Sequence, residues 1–121
     1  MIDMAVREVR VGSIQGSTNI ERLDVEVDVV SIISDIAPMF VEGYVDLSGL
    51  GPNHKVELCE YIGWGGAGTK KFMCMDYTSG DETIVRFYNK TVYRYKVTAR
   101  LVEGEPPVTL PFLFFVMRLL T

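Results

Sequence analysis

Apolar and polar residues alternate with a period of two through much of the chain. In Leu23-Asp24-Val25-Glu26-Val27-Asp28-Val29 every odd position is apolar and every even one acidic. Successive side chains of a strand lie on opposite faces. The pattern therefore predicts a strand that buries Leu23, Val25, Val27 and Val29 and turns Asp24, Glu26 and Asp28 to water. Val92 to Leu101 repeats the alternation with the opposite charge. Tyr93, Tyr95, Val97, Ala99 and Leu101 share one face, and Arg94, Lys96, Thr98 and Arg100 share the other. The two strands are natural neighbours, because opposite charges on paired strands contribute roughly a few tenths of a kcal/mol each.

Other segments follow from composition and turn chemistry. Val6 to Ile14 reads as a first strand, ended by a polar turn from Gln15 to Asn19. Phe40 to Leu47 reads as another, in which Gly43 marks a bulge or a close backbone approach. Lys55 to Ile62 and Phe72 to Tyr77 flank the glycine-rich stretch Gly63 to Gly68, which predicts a hairpin with an elaborate tip. Thr83 to Tyr88 and Thr91 to Val102 surround a turn at Asn89-Lys90. A loop from Glu103 to Pro107 leads to the apolar strand Val108 to Met117. Ser31 to Ala37 is the one helical candidate, stopped by Pro38. About eight short strands without a helix long enough for a βαβ crossover predict an all-β fold. We read a single domain over residues 1–121, a small antiparallel β-barrel or sandwich with one short helical turn.

Composition narrows the function. The 121 residues are 48% hydrophobic and 23% charged, which excludes low-complexity, collagen-like and coiled-coil classes. Twelve basic against sixteen acidic residues give a net charge of −4, the wrong sign for a general nucleic-acid binder. Met1-Ile2-Asp3-Met4 offers neither the basic start nor the apolar core of a secretory signal. The longest apolar run, Leu110 to Met117, falls far short of the roughly 20 residues a membrane-spanning helix needs, so no membrane partner is expected. Without a signal, Cys59 and Cys74 read as reduced, buried thiols. The mean hydropathy of +0.18 is high beside that net charge, which points to apolar surface reserved for a partner. The last strand concentrates it. Apolar on both faces, it suits a core strand or a strand under a subunit interface, with Pro111 placing its first part at an edge or bulge. Phe112, Phe114 and Phe115 are therefore candidate partner contacts.

Strings that resemble catalytic motifs fail on context. Gly63-Trp64-Gly65-Gly66-Ala67-Gly68-Thr69-Lys70 matches G-x-G-x-x-G, but Phe72 to Tyr77 reads as strand where a dinucleotide site needs a helix N-terminus. The order Thr69-Lys70 reverses that of a P-loop. The reading that remains is a flexible hairpin tip that exposes Trp64 as a candidate anchor for a protein or carbohydrate partner. Asp76, Asp81 and Glu82 surround a turn without calcium-loop spacing. His54 is the only histidine, so neither a zinc centre nor a Ser-His-Asp triad can be assembled. No catalytic, cofactor or metal site is expected, and the chain does not read as an enzyme. The basic and aromatic stretch Arg86 to Lys96 supports an alternative, an OB-like single-strand nucleic-acid binder using Arg86, Lys90, Arg94, Lys96 and Arg100. Parity opposes it, since Tyr93 and Tyr95 lie opposite Arg94 and Lys96.

One stretch resembles a known family. Leu23 to Leu50 runs as an alternating strand, then Ser31-Ile32-Ile33-Ser34-Asp35-Ile36-Ala37-Pro38, then Phe40-Val41-Glu42-Gly43-Tyr44-Val45-Asp46-Leu47, followed by a Gly-Pro-Asn-His loop and a further strand. This resembles the N-terminal tube-like domain of baseplate hub proteins from contractile-tailed bacteriophages, which are usually much longer. The resemblance implies a tail-tube-like barrel or sandwich packed edge to edge into a ring. The function it implies is structural, joining tail tube to spike or baseplate in a virion assembled in the host cytoplasm. It further implies other tail proteins or identical copies as partners. Family lumens tend to be acidic so that DNA slides past, and Asp24, Glu26 and Asp28 are candidates for such a surface, with Arg94, Lys96 and Arg100 as the opposing basic face.

Overall fold

The computed structural model describes residues 8–34, 38–64, 68–81 and 83–120. Eight strands succeed one another: β1 (Glu8–Ile20), β2 (Glu26–Ile33), β3 (Met39–Asp46), β4 (Lys55–Gly63), β5 (Lys70–Thr78), β6 (Ile84–Val92), β7 (Arg94–Glu103) and β8 (Val108–Leu120). They form two four-stranded antiparallel sheets, ordered β1-β8-β3-β6 and β2-β7-β4-β5. The pairings are nested: β1 with β8, β2 with β7, β3 with β6 and β4 with β5. The chain is in effect one long hairpin folded about the β4–β5 connection. Rolling it up brings β8 onto β3 and β7 onto β4. This is the eight-stranded jelly roll, a sandwich. Among the described residues there is no helix.

The inner faces supply the core. Ile20, Met39, Val41, Val45, Leu110 and Phe114 from one sheet meet Val56, Leu58, Tyr95, Val97, Ala99 and Leu101 from the other. The Phe114 ring packs against Phe87, Phe112 and Tyr95, with centroids 5.9–6.4 Å apart. Gly43 makes this packing possible. A Cβ there would stand 2.7 Å from Phe114 Cα and run into the Leu113 carbonyl. The expected close approach is thus between β3 and the middle of β8. Val108 to Pro111 pair with β1 alone, because the β3 ladder begins at Phe112. Pro111 therefore withholds no donor from β3.

Several sequence expectations need correction. The residues read as a turn, Gln15 to Asn19, continue β1, because each finds a partner on β8, from Leu113 to Thr109. Ser31, Ile32 and Ile33 are strand and not helix: β7 satisfies their backbone in register with Lys96, Tyr95 and Arg94. Residues 35–37 of the helical reading lie outside the described residues. The break between β6 and β7 falls at Tyr93, not at Asn89-Lys90. Tyr93 N–H donates to the Gly63 carbonyl and its own carbonyl accepts from Ser34 N–H. Leu23 and Val25 are 50% and 43% exposed, since β2 starts only at Glu26. Before it, Asp24 adopts a left-handed φ of 65° and donates its N–H to the Leu101 carbonyl. A register shift between Asp28 and Val30 then buries both Val29 and Val30, ending the strict alternation. The cysteines are not free thiols. The β4–β5 register sets Cys59 opposite Cys74 with Cα atoms 4.1 Å apart, and they form a disulfide.

Candidate functional site

The two outward faces of the sandwich differ in chemistry, and the difference follows from strand parity. On the sheet β2-β7-β4-β5, the positions that alternate with the core residues include Glu26, Arg94, Lys96, Thr98, Arg100, Glu57, Tyr61 and Lys71, with Asp76, the Cys59–Cys74 pair and the exposed Ile33 on the same side. Register brings the acidic and basic strands together as the alternation predicts, with Glu26 opposite Arg100 and Arg100 opposite Glu57. The Arg100 guanidinium donates to Glu57 at 3.1 and 3.2 Å and pairs with Asp24. Glu57 first, then Asp24, holds this guanidinium above its ordinary range. Glu26 accepts from the Thr98 hydroxyl at 2.7 Å and from the Tyr61 hydroxyl at 2.8 Å. The Thr98 bond chiefly, helped by Tyr61, Lys71 and Lys96 against the pull of desolvation, lowers the Glu26 carboxyl below its usual range. Lys96 and Lys71 lie over the Tyr61 ring, 4.8 and 5.9 Å from its centroid. Asp28 is exposed in register with Thr98. The result is a wet, mixed-charge face whose charges are mostly matched.

The outward face of β1-β8-β3-β6 carries a cluster of apolar side chains beside the charged Glu42, Asp46 and Arg86. Parity puts Phe40 and Tyr44 of β3, Leu113, Phe115 and Met117 of β8, and Tyr88 of β6 on this side. Phe115 is 41% and Tyr88 61% exposed, and the others are half-buried. Ser13, Gln15 and Ser17 of β1 form an uncharged polar flank. Glu42 and Arg86 are diagonal neighbours on the same face, since Glu42 opposes Tyr88 and Tyr44 opposes Arg86. Of the predicted partner contacts, Phe115 belongs to this face and Trp64 is 60% exposed at the start of the β4–β5 tip. Residues 65–67 of that tip lie outside the described residues. Phe114 is fully buried and Phe112 half-buried against it, both on the inner side of β8; they are core residues and not partner contacts. Sequence reasoning missed Phe40, Tyr44, Tyr88, Leu113 and Met117. The legible signal was apolar residues at both parities of β3 and β8.

The remaining polar groups hold the fold together. Glu60 is buried on the inner face of β4, where its carboxylate accepts from the Tyr95 hydroxyl at 2.5 Å and from Asn89 Nδ2 at 2.8 Å. Asn89 belongs to β6, so this network ties one sheet to the other. His54 Nδ1 accepts from Gly51 N–H at 2.7 Å, and Nε2 lies 2.8 Å from the Glu105 carbonyl. That arrangement suits a neutral ring protonated at Nε2, which locks the β3–β4 loop to the β7–β8 loop. Asp81 accepts from the Thr78 N–H and hydroxyl and closes the β5–β6 turn, which keeps its carboxyl below the usual range. Glu82 lies outside the described residues. Glu57, Cys59 and Cys74 are close enough together to suggest metal ligands, but a disulfide has no thiolate to offer. A shallow cavity of about 180 Å³ lies beside Ser31, Ile33, Thr69, Arg94 and Lys96.

No protein-family model matches the chain, and no curated protein does. Solved structures do. The crystal structure of the infectious bursal disease virus VP2 subviral particle superposes with a TM-score of 0.62 at 12% identity over 95% of this chain. The structure of the Gx strain of the same virus gives 0.60 at 14% identity over 94%. This chain spans about a third of the length of those viral chains, 34% in each case. A chain from the Bacillus endospore appendages, described as disulfide-linked pili, gives 0.54 at 13% identity and matches over 100% of this chain and 98% of its own. At such identities the likeness is one of fold: the jelly roll recurs in a viral particle and in a pilus.

Proposed function

We propose that the chain is a structural subunit, built to be covered by other protein subunits in a particle or fibre. The observation that carries this reading is the contrast between its two outer faces. A jelly roll needs only one hydrophobic layer, between its sheets. Here a second cluster of apolar side chains, Phe40, Tyr44, Tyr88, Leu113, Phe115 and Met117, faces outward among the charged Glu42, Asp46 and Arg86, while the opposite face is dominated by charged residues that pair with one another. Solvated monomers rarely expose an apolar patch of this kind beyond a few hundred Å². The fold likeness to a viral particle chain and a pilus chain is in keeping with a building block. Cys59 and Cys74 bond to each other, so the disulfide serves the subunit itself.

Within that class, a tail or baseplate component of a virion is the finer reading. It rests on the resemblance of Leu23 to Leu50 to tube-like hub domains. Asp24, Glu26 and Asp28 would belong to the charged face, with their charge offset by Arg100, Lys96 and Lys71. The nucleic-acid alternative loses support, because Arg100 is held by Glu57 and Asp24 and Lys96 lies over Tyr61. Mass measurement over a wide concentration range, with electron microscopy of the purified protein, tests the reading. Assembly into dimers and larger ordered species is expected; a monomer that stays monodisperse at millimolar concentration would overturn it. Recovery of the chain from purified tails, with neighbouring genes encoding sheath or tube proteins, would establish the finer assignment.

A further inference from the structure

We infer that the free edge of β5 pairs antiparallel with β5 of a second copy, about a two-fold axis that passes between the two Cys74 residues. The inference rests on the structural-subunit reading and names one contact of such a subunit, on a surface separate from the outer apolar cluster.

β5 is an edge strand without the usual cover. The sheet order ends at it, and none of its nine residues is buried. β2, at the other edge of the same sheet, buries Val29, Val30 and Ile32. Met73 and Met75 stand opposite Glu60 and Leu58 and so project from the inner side, yet they are 50% and 55% exposed. β5 thus overhangs the other sheet, while the Cys59–Cys74 disulfide fixes it to β4. Between Lys71 and Asp76 it reads Phe72-Met73-Cys74-Met75, with neither charge nor proline to deter pairing.

The backbone of β5 is presented for a further strand. Cys59 and Cys74 have Cα atoms 4.1 Å apart, the short spacing of a non-hydrogen-bonded pair in an antiparallel ladder. The N–H and C=O of Cys74 therefore point away from β4, and those of Asp76, two positions on, do likewise.

Charge selects the partner. Asp76 stands opposite Glu57, and like charges so placed repel. Glu57 is held by Arg100, whereas the Asp76 side chain has no hydrogen-bond or ion-pair partner among the described residues. A cation arriving at the free edge would satisfy it, and β5 itself carries one. The register shift between Glu60 and Tyr61 leaves Phe72 as an extra residue. Lys71 and Asp76 consequently each lie two ladder positions from Cys74, on the same outward side. An antiparallel copy centred on Cys74 sets Lys71 of each chain opposite Asp76 of the other, and Met73 opposite Met75. Moving the axis two positions either way would set Asp76 on Asp76 or Lys71 on Lys71. A two-fold contact closes on itself, so this one yields a dimer, and any larger particle requires a separate contact.

Analytical ultracentrifugation of the full chain and four variants tests the inference. Wild type is expected to show a species of twice its 13.6 kDa mass. Lys71→Asp and Asp76→Lys each bring like charges together on both sides of the axis and are expected to weaken the dimer roughly tenfold. Lys71→Asp/Asp76→Lys in one chain restores opposite charges across the axis and is expected to recover most of that loss. Phe115→Asp, on the other sheet, is expected to leave the dimer intact. Circular dichroism and thermal melting confirm that each variant is folded. Assembly that is unchanged in both single variants, or that the double variant fails to recover, would overturn this inference and leave the structural-subunit reading standing. A wild-type monomer at all concentrations would overturn both. Where a charge variant unfolds, a mixture of Met73→Cys and Met75→Cys takes its place. A bond between chains is expected in the mixture and in neither variant alone; its absence counts against the register.

Discussion

The Tyr95 hydroxyl donates to the Glu60 carboxylate at 2.5 Å in the interior of the sandwich. Both groups belong to the β2-β7-β4-β5 sheet, and Asn89 completes the carboxylate's shell from the other sheet. Among the described residues, no buried side-chain polar atom lacks a partner. Tyr95→Phe keeps the packing but withdraws a donor from a buried carboxylate, and should cost about 1–3 kcal/mol in urea unfolding.

The same contact makes a prediction at alkaline pH. Burial first, and the Glu60 carboxylate second, hold the Tyr95 phenol far above its ordinary range. A raised folded-state value means that its contribution to stability is complete below about pH 10, the unfolded phenol's range, and is lost as pH rises beyond it. Absorbance titration should show one tyrosine of the six ionising only as the protein unfolds. Tyr95→Phe should remove that step.

The disulfide secures a strand that packing holds poorly. β5 is an edge strand, and Phe72, Met73 and Met75 are each at least half exposed. Cys59 and Cys74 are 15 residues apart in sequence, and closing a loop of that length is worth about 3 kcal/mol in the chain-entropy model. Cys59→Ala/Cys74→Ala should lower stability by about that amount. Hydrogen exchange should rise first in β5 while β7 and β8 stay protected.

Gly43→Ala should be among the costliest single-methyl changes in the protein. The added carbon would meet backbone on β8, the Leu113 carbonyl and Phe114 Cα, and neither yields by a rotamer change. Overpacking of this kind costs ~1–3 kcal/mol and sometimes more. Thermal unfolding of the variant measures it, and an unchanged midpoint would contradict the close approach.

Glu26 carries an acid-side prediction. Its carboxyl is lowered chiefly by the Thr98 hydroxyl, so the stabilisation is present above the unfolded carboxylate value of about 4.3 and is lost as pH falls through the folded value. Thr98→Val should move the Glu26 midpoint upward in an NMR titration. The stability gap between variant and wild type should narrow at low pH, where Glu26 is protonated in both.

The strands were legible wherever one face is buried and the other wet. Arg94 to Leu101 alternates over its whole length, and the structure buries Tyr95, Val97, Ala99 and Leu101 as the pattern predicts. The match of the acidic strand to the basic one was legible too. Glu26 and Arg100 lie nearly equally far from the glycine-rich tip, and a nested hairpin joins residues so placed. Boundaries failed where pairing overrode local propensity. Gln15 to Asn19 is turn-like by composition, yet β8 offers it an unbroken ladder, and Ser31 to Ile33 is strand because β7 runs beside it.

What the sequence determined by itself is the all-β class, the charge-matched strands and the surplus of apolar residues near the C-terminus. Alternation and composition are local, and each residue carries them whatever its neighbours. Tertiary structure decided the rest. It made Cys59 and Cys74 partners, sent Phe114 inward and Phe115 outward, and gathered Phe40, Tyr44, Tyr88 and Phe115 from three strands onto one face. Those outcomes depend on which strand lies beside which and in what register. A one-residue slip in register reverses the face of every side chain on a strand, so no local pattern could have chosen between a buried core strand and an outward apolar surface.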